Sequence, residues 1–174
     1  QMTVAILSKP RHDEIIKKVQ ELGVRVIAIP DGDVAASVQC CLPDSEIDLV
    51  YGIGGAPEGV VTGAAVQALG GEIQGRLIPR NQVKGNTPEN MLAAEKEIAR
   101  CAEMQVLVNQ VLKMEEIVKD DNVLFAATGI TTGDLLKGVH RKGSMLFTET
   151  LLIRGRSHTI RRVESLHDVS RMDD

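Results

Sequence analysis

Three short polar stretches contain most of the side chains in this sequence that could take part in chemistry. They are KPRH at residues 9–12, PDGD at residues 30–33 and GGAPEG at residues 54–59. Their cations and free backbone N–H groups could bind phosphate, and their carboxylates could bind hydroxyl groups or a metal ion. Glycine would let a ligand approach the backbone closely. This mixture suits a phosphorylated polyol.

The first stretch places two cations at the predicted start of a helix. Lys9 and Arg11 flank Pro10, a residue type favoured in the first helical turn. Their charges add to the positive end of the helix dipole and could hold a phosphate dianion. The alternative is that both are solvated surface cations, as most Lys and Arg side chains are.

The second stretch alternates carboxylates around the most permissive residue type. Asp31 and Asp33 flank Gly32, which can adopt backbone conformations closed to other residues. Asp33 could cap the helix that follows and Asp31 could form the turn. Either carboxylate could also bind a ligand or a metal ion, since capping does not exclude binding.

The third stretch holds one carboxylate behind a pair of glycines. Glu58 falls in the first turn of a predicted helix, where a negative charge already complements the helix dipole. Gly54 and Gly55 would leave this carboxylate and the nearby N–H groups unshielded, as a metal ion or a phosphate requires. One carboxylate cannot make a magnesium or manganese site, because these cations need several oxygen ligands.

Other motifs are weaker candidates. The GIGG run at residues 52–55 lacks the third glycine of a dinucleotide fingerprint, which would fall at Pro57. ATGITTGD at 127–134 could bind a ligand or end in a helix cap at Asp134. RGRSHTIRR at 154–162 favours an exposed strand pair or a subunit contact over an anion site. No nucleophile motif accompanies the histidines, so a hydrolytic triad has no support.

The elements that must position these stretches alternate regularly in the first half of the chain. The hydrophobic pattern predicts strands at 3–8, 24–30, 47–54 and 71–79, with helices at 10–23, 34–42 and 56–71. This order requires right-handed crossovers and therefore a mostly parallel sheet. The loops after the first three strands then share the C-terminal edge, where open α/β sheets bind ligands.

The second half is less regular. Residues 80–86 read as a surface loop, and a helix follows with Thr87 as its N-cap. The third helix should bury Val60, Val61, Ala64 and Ala68, and the helix after Thr87 should bury Met91, Ala94, Ile98 and Cys101. A strand is predicted at 122–130, and residues 144–155 and 158–166 should form an antiparallel pair joined near Gly155.

Composition limits the class of protein. The 174 residues are 43% hydrophobic and 2% aromatic, which predicts one α/β domain with an aliphatic core. A net charge of -4 argues against nucleic acid or an anionic membrane as a partner. Three cysteines without metal-ligand spacing indicate a reduced, cytoplasmic protein. No apolar run reaches the length of a membrane span.

The motifs together resemble a known family. KPRH, IPDGDVAA, GIGGAPEGVV with GGEIQGRL, NVLFAATGITTGDLL and TETLLIRGRSHTIRRVESLH are similar, in order and spacing, to the C-terminal half of class II fructose-1,6-bisphosphatases of the GlpX type. The resemblance implies a layered α/β fold of the inositol-monophosphatase-like kind, shared by lithium-sensitive phosphatases. It also implies cleavage of the 1-phosphate of fructose 1,6-bisphosphate in gluconeogenesis, with Mn²⁺ or Mg²⁺, in a homo-oligomer.

The resemblance also implies roles for single residues. By motif, Glu58 is a metal ligand and Gly55 contacts substrate through its backbone. The remaining substrate-binding residues by motif are Lys9, Pro10, Arg11, Asp31, Gly32 and Asp33. Asp31 and Asp33 therefore become substrate residues rather than metal ligands.

One departure from the family pattern is large. The family's other metal carboxylates lie in an acidic motif of an N-terminal half, and no such motif occurs in this sequence. We expect residues 1–174 to be the C-terminal half of a larger phosphatase, to need their own N-terminal half as a partner, and to be inactive alone. The alternative is a non-catalytic module that binds sugar phosphates or has a regulatory role. A nucleotide-binding domain is a third hypothesis.

Overall fold

The computed structural model describes residues 1–171 and has a mixed α/β architecture. The first part of the chain forms a parallel three-stranded sheet in the order β2-β1-β3, from β1 (Thr3–Leu7), β2 (Arg25–Ile29) and β3 (Leu49–Tyr51). All five residues of β1 are buried, as expected for the central strand of a covered parallel sheet. Each strand leads into a helix, so the predicted alternation is confirmed for this part.

The three helices are α1 (Asp13–Glu21), α2 (Asp33–Cys40) and α3 (Ala56–Ala68). A 3-10 turn at Pro10–His12 precedes α1. Gly23 ends α1 with φ 74°, and its N–H donates to the Gln20 carbonyl at 2.9 Å. This left-handed glycine is the helix stop that the sequence predicts.

The predicted fourth parallel strand is wrong. Only Gly75–Arg76 forms a strand, β4, and it pairs antiparallel with β5 (Val111–Leu112) in a separate two-stranded sheet. Glycines at 71 and 75 weaken strand pairing. The side chain of Ile73 lies 3.8 Å from the position that a Gly63 Cβ would occupy, so this segment packs on α3 instead.

The segment at 80–86 is also more ordered than a loop. It contains a short helix, α4 (Arg80–Lys84), which starts after Pro79 and stops at Gly85 with φ 89°. The next helix is α5 (Pro88–Glu103), and the predicted N-cap is confirmed because the Thr87 hydroxyl accepts from the Asn90 N–H at 3.3 Å. A further short helix, α6 (Met114–Ile117), follows.

The last part of the chain is an antiparallel sheet of β6 (Leu124–Thr128), β7 (His140–Lys142), β8 (Met145–Arg154) and β9 (Thr159–Asp168). β9 pairs along the whole of β8, which confirms the predicted pair and its turn at Gly155. β6 and β7 pair with the other edge of β8. The predicted parallel sheet is therefore confirmed for three strands, whereas the other strands within residues 1–171 are antiparallel, so the chain as a whole is not mainly parallel.

The main hydrophobic core lies between helices α2 and α3 and the antiparallel sheet. Its buried members come from α2, α3, β8 and the segment before β7, and they are Val38, Ala65, Ala68, Leu135, Leu136, Leu151 and Ile153. The predicted buried face of α3 is wrong at Val60 and Val61, which are 53% and 48% exposed, and is confirmed at Ala68, which is buried. Small residues face the neighbours instead: a Cβ at Gly63 would lie 2.9 Å from the Ile117 side chain.

The predicted stripe of α5 is wrong at two of its positions. Ala94 is buried, but Met91 and Ile98 are 48% and 43% exposed. The three cysteines are free thiols. Burial raises the pKa of the Cys40 thiol, and the Asp48 carboxylate raises it further. None of the helices within residues 1–171 is both long enough and apolar enough to cross a membrane.

Candidate functional site

The three polar stretches meet at the C-terminal edge of the parallel sheet. KPRH follows β1, PDGD follows β2, and the glycine turn, which we define as GIGG at residues 52–55, follows β3. The end of β1 is tied to β2, because the Ser8 N–H donates to the Ile29 carbonyl at 2.7 Å. The prediction that these loops share one edge is confirmed.

Two residues of KPRH hold the glycine turn through one residue, Ile53. The Arg11 guanidinium donates to the Ile53 carbonyl from Nε at 3.1 Å and from Nη2 at 2.5 Å. The Ile53 N–H donates to Nε2 of His12 at 3.0 Å. His12 was missed from the sequence, where it was weighed only as a triad histidine. Its place one residue after Arg11 was the only available signal.

Asp33 lies against the first glycine of the adjacent pair. A Cβ at Gly54 would come within 2.8 Å of Asp33 Oδ2, and Oδ1 of the same carboxylate accepts from the Val34 N–H at 3.1 Å. The sequence suggested Asp33 as the N-cap of α2. In the structure Asp33 is instead the first residue of this helix. The N-cap is Gly32, whose left-handed φ of 78° carries the chain into the helix.

Glu58 folds back over the second glycine. A Cβ at Gly55 would overlap Oε2 of Glu58, so only glycine leaves this carboxylate its place. Gly55 is the N-cap of α3 with an extended backbone, and its carbonyl accepts from the Gly59 N–H at 3.0 Å. Asp33 and Glu58 thus lie over successive residues of the glycine turn.

The other predicted residues lie in the same loops. Lys9 has an extended backbone, φ -129° and ψ 147°, and leads into the 3-10 turn that Pro10 begins. Asp31 is exposed directly before Gly32. The site therefore combines exposed glycine backbone with carboxylates and cations, which suits a polyhydroxylated anion.

A complete metal centre is not formed by the described residues. Within residues 1–171, no group of three or more His, Cys, Asp or Glu side chains is placed to hold a metal ion. Magnesium and manganese require several oxygen ligands. Glu58 fits the role of one ligand, and further ligands would have to come from outside this part of the chain.

The weaker sequence candidates have structural roles. Within residues 1–171, no helix begins at Asp134, so the alternative that Asp134 caps a helix is wrong. Instead, residues 129–139 form a closely crossed loop in which a Cβ at Gly138 would lie 2.5 Å from the Thr132 nitrogen. Glu149 anchors this loop to β8 by accepting from the Lys137 N–H at 2.5 Å.

The arginine-rich strand supports the same anchor. Arg162 donates to the Leu135 carbonyl at 2.7 Å and lies 3.5 Å from Oε1 of Glu149. The Lys137 N–H bond, followed by the charges of Lys137 and Arg162, lowers the pKa of the Glu149 carboxyl. This arginine therefore stabilises the sheet rather than forming a separate anion site.

Comparisons with known proteins cover nearly all of the chain. The family model for bacterial fructose-1,6-bisphosphatase, glpX-encoded, matches residues 1–167. A class 2 fructose-1,6-bisphosphatase of Haemophilus influenzae is 63% identical over 166 residues, which are 95% of this chain and 50% of that relative. Fructose-1,6-bisphosphatase 1 class 2 of Escherichia coli strain K12 is 57% identical over 173 residues, which are 99% of this chain and 52% of that relative.

A second Escherichia coli K12 protein, fructose-1,6-bisphosphatase 2 class 2, is 46% identical over 167 residues, or 96% of this chain and 52% of that relative. The chain thus spans about half the length of the relatives it matches. All three polar stretches lie inside the matched residues 1–167. The resemblance seen in the sequence is confirmed, and the chain belongs to the family of glpX-encoded bacterial fructose-1,6-bisphosphatases.

Proposed function

We propose that this chain forms the C-terminal half of an enzyme that hydrolyses the 1-phosphate of fructose 1,6-bisphosphate, giving fructose 6-phosphate and phosphate in gluconeogenesis. The observation that supports this proposal is the placement of Asp33 and Glu58 over Gly54 and Gly55, at the sheet edge where KPRH also lies. A phosphorylated sugar offers hydroxyl groups and phosphate oxygens, and these loops offer acceptors and donors for both.

The cationic and the acidic residues of the site would bind different groups of the substrate. Lys9 and Arg11 would hold phosphate, since both are cations at one sheet exit. Arg11 already uses Nε and Nη2 on the Ile53 carbonyl, which leaves the Nη1 donors for a ligand. Asp31 and Asp33 would accept from sugar hydroxyls, while the Pro10 and Gly32 backbone shapes the loops around them. Gly55 would donate from its backbone N–H.

Glu58 would supply one ligand of a Mn²⁺ or Mg²⁺ site completed by an N-terminal half. The bound cation would activate water and neutralise charge that develops on the phosphoryl group. The joined protein would have a layered fold of the inositol-monophosphatase-like kind and act as a cytoplasmic homo-oligomer. Its partner in binding is a small sugar bisphosphate, with no role for nucleic acid or membrane.

Phosphate release tests this proposal. The 174-residue chain would be joined to the N-terminal half of the Escherichia coli K12 relative that is 57% identical to it. With fructose 1,6-bisphosphate and Mn²⁺, we expect release by the joined protein and none by either half alone. Release by the chain alone, or none by a folded joined protein, would refute the proposal.

A non-catalytic module is the second candidate. It is favoured by one observation, the lack of a three-ligand metal cluster within residues 1–171. Such a module would bind fructose 1,6-bisphosphate in calorimetry yet give a joined protein without phosphate release. The two measurements therefore separate a binding module from half of an enzyme.

A further inference from the structure

His12 is the most enclosed polar side chain next to the candidate site. Its exposed fraction is 0%, and its ring connects two distant parts of the chain. Nδ1 lies 2.7 Å from the Leu7 carbonyl at the end of β1, and Nε2 accepts from the Ile53 N–H at 3.0 Å. The Tyr51 ring packs edge-on, with centroids 5.9 Å apart.

These two contacts fix the tautomer of the ring. A carbonyl can only accept a hydrogen bond, so Nδ1 must carry the proton that reaches Leu7. Nε2 must then present its lone pair to the Ile53 N–H. The neutral Nδ1–H tautomer satisfies both partners. A proton on Nε2 would set a donor against the Ile53 donor.

The position of Ile53 gives His12 an influence on the site. Gly54 and Gly55 follow directly, and glycines impose little backbone preference of their own. The glycine turn must therefore be fixed by its surroundings. His12 holds the N–H of Ile53 and Arg11 holds its carbonyl, so both polar groups of the residue before the glycines are bound.

We propose that His12 is a positioning residue, which fixes the backbone of Gly54 and Gly55 through its bond to Ile53. It touches no substrate in this role. Its effect is to hold Gly55 beside the Glu58 carboxylate before a ligand arrives, which lowers the ordering cost of binding. The expected effect on ligand affinity rests on the proposed function; the effect on backbone order does not.

Two carboxamide substitutions separate the contacts of the ring, because each can replace one ring nitrogen. In His12→Asn, the side-chain amide can replace Nδ1 and keep the Leu7 bond. In His12→Gln, the carboxamide oxygen can replace Nε2 and keep the Ile53 bond. Both remove the ring, and Asn is one methylene shorter than Gln, so urea unfolding of both variants measures the difference in lost packing separately.

Backbone order in the free chain is the first measurement. By ¹⁵N relaxation, we expect order parameters at Gly54 and Gly55 near the rigid value of about 0.85 in the unsubstituted chain and in His12→Gln. In His12→Asn they should fall below about 0.6, and the Ile53 amide should exchange roughly tenfold faster. Equal behaviour of the two variants would overturn the proposal.

Fructose 1,6-bisphosphate affinity of the joined protein is the second measurement. His12→Asn should weaken this affinity roughly tenfold, and His12→Gln should retain most of it.

If the unsubstituted protein binds no sugar bisphosphate, the proposed function fails, while the order parameters still test the role of His12. If neither variant folds, the unsubstituted chain decides: absence of a scalar coupling between Ile53 N and His12 Nε2 would overturn the proposal.

Discussion

At the scale of single residues, the candidate site depends on two positions that carry no side chain. A Cβ at Gly54 would crowd Asp33, and one at Gly55 would overlap the Glu58 carboxylate. Both obstacles are the ends of acidic side chains, which can rotate away. Substitution there should therefore disturb the arrangement of carboxylates more than the stability of the fold.

Gly55→Ala tests this expectation. The methyl group should displace the Glu58 carboxylate and weaken fructose 1,6-bisphosphate binding by the joined protein roughly tenfold, with a change in unfolding free energy below about 1 kcal/mol. Calorimetry and urea unfolding measure the two effects.

Gly59→Ala is the matched control, since nothing lies within 4 Å of its Cβ position. It should leave affinity unchanged and stabilise α3 by about 0.5–1 kcal/mol, because alanine favours a helix over glycine. An equal loss of affinity in both variants would show that the overlap at Gly55 has no part in binding.

Glu149 makes a pH-dependent contribution to stability. Its pKa in the folded protein is lowered, so the folded state releases this proton more readily than the unfolded state does. The stabilisation is complete above the ordinary pKa of a glutamate and is lost as pH falls through the lowered value. We expect Glu149→Gln to be less stable than the unsubstituted chain near neutral pH.

Urea unfolding across acidic pH measures this effect. The difference between the two proteins should shrink on acidification, because a protonated Glu149 resembles Gln. Glu164→Gln is the control: its side chain is 70% exposed and pairs with Lys137 on the surface, so its substitution should change little. A Glu149→Gln difference that is constant with pH would contradict the assigned cause.

Among the helices and strands, the sequence predicted best those helix ends that a single residue determines. Gly23 and Thr87 mark helix ends through their own backbone or side-chain chemistry, and both were predicted correctly. Pro10 begins a 3-10 turn, and α1 starts three residues later than predicted. The segment at 71–79 was predicted wrongly, because its conformation depends on the packing of Ile73 against Gly63 of α3. Such close packing between distant segments leaves no periodic signal.

The crossed loop at 129–139 supplies a prediction at this scale. A Cβ at Gly138 would lie 2.5 Å and 2.6 Å from backbone atoms of Thr132 and Thr131, which cannot rotate away. Gly138→Ala should therefore destabilise the chain by about 1–3 kcal/mol in urea unfolding. Gly133→Ala, with open space around its Cβ position, should change stability by less than about 0.5 kcal/mol. Equal stability of both variants would contradict the crossed loop.

At the scale of the whole molecule, much of the candidate site was predictable because connectivity determines it. Three parallel strands must bring KPRH, PDGD and the glycine turn to one edge, whatever their side chains do. The contact of His12 with Ile53 was not predictable, because it joins residues 41 positions apart by side-chain geometry. The metal site could not be completed either, since Glu58 is one carboxylate in a chain half as long as its relatives.

We propose that Glu58 serves a metal site rather than the stability of α3, and Glu58→Gln in the joined protein separates these two roles. Manganese affinity and manganese-dependent phosphate release would be measured beside thermal unfolding. We predict that affinity and rate fall by at least roughly tenfold to a hundredfold, while stability changes by less than about 1 kcal/mol. Unchanged manganese affinity, with activity lost only in proportion to stability, would contradict the claim.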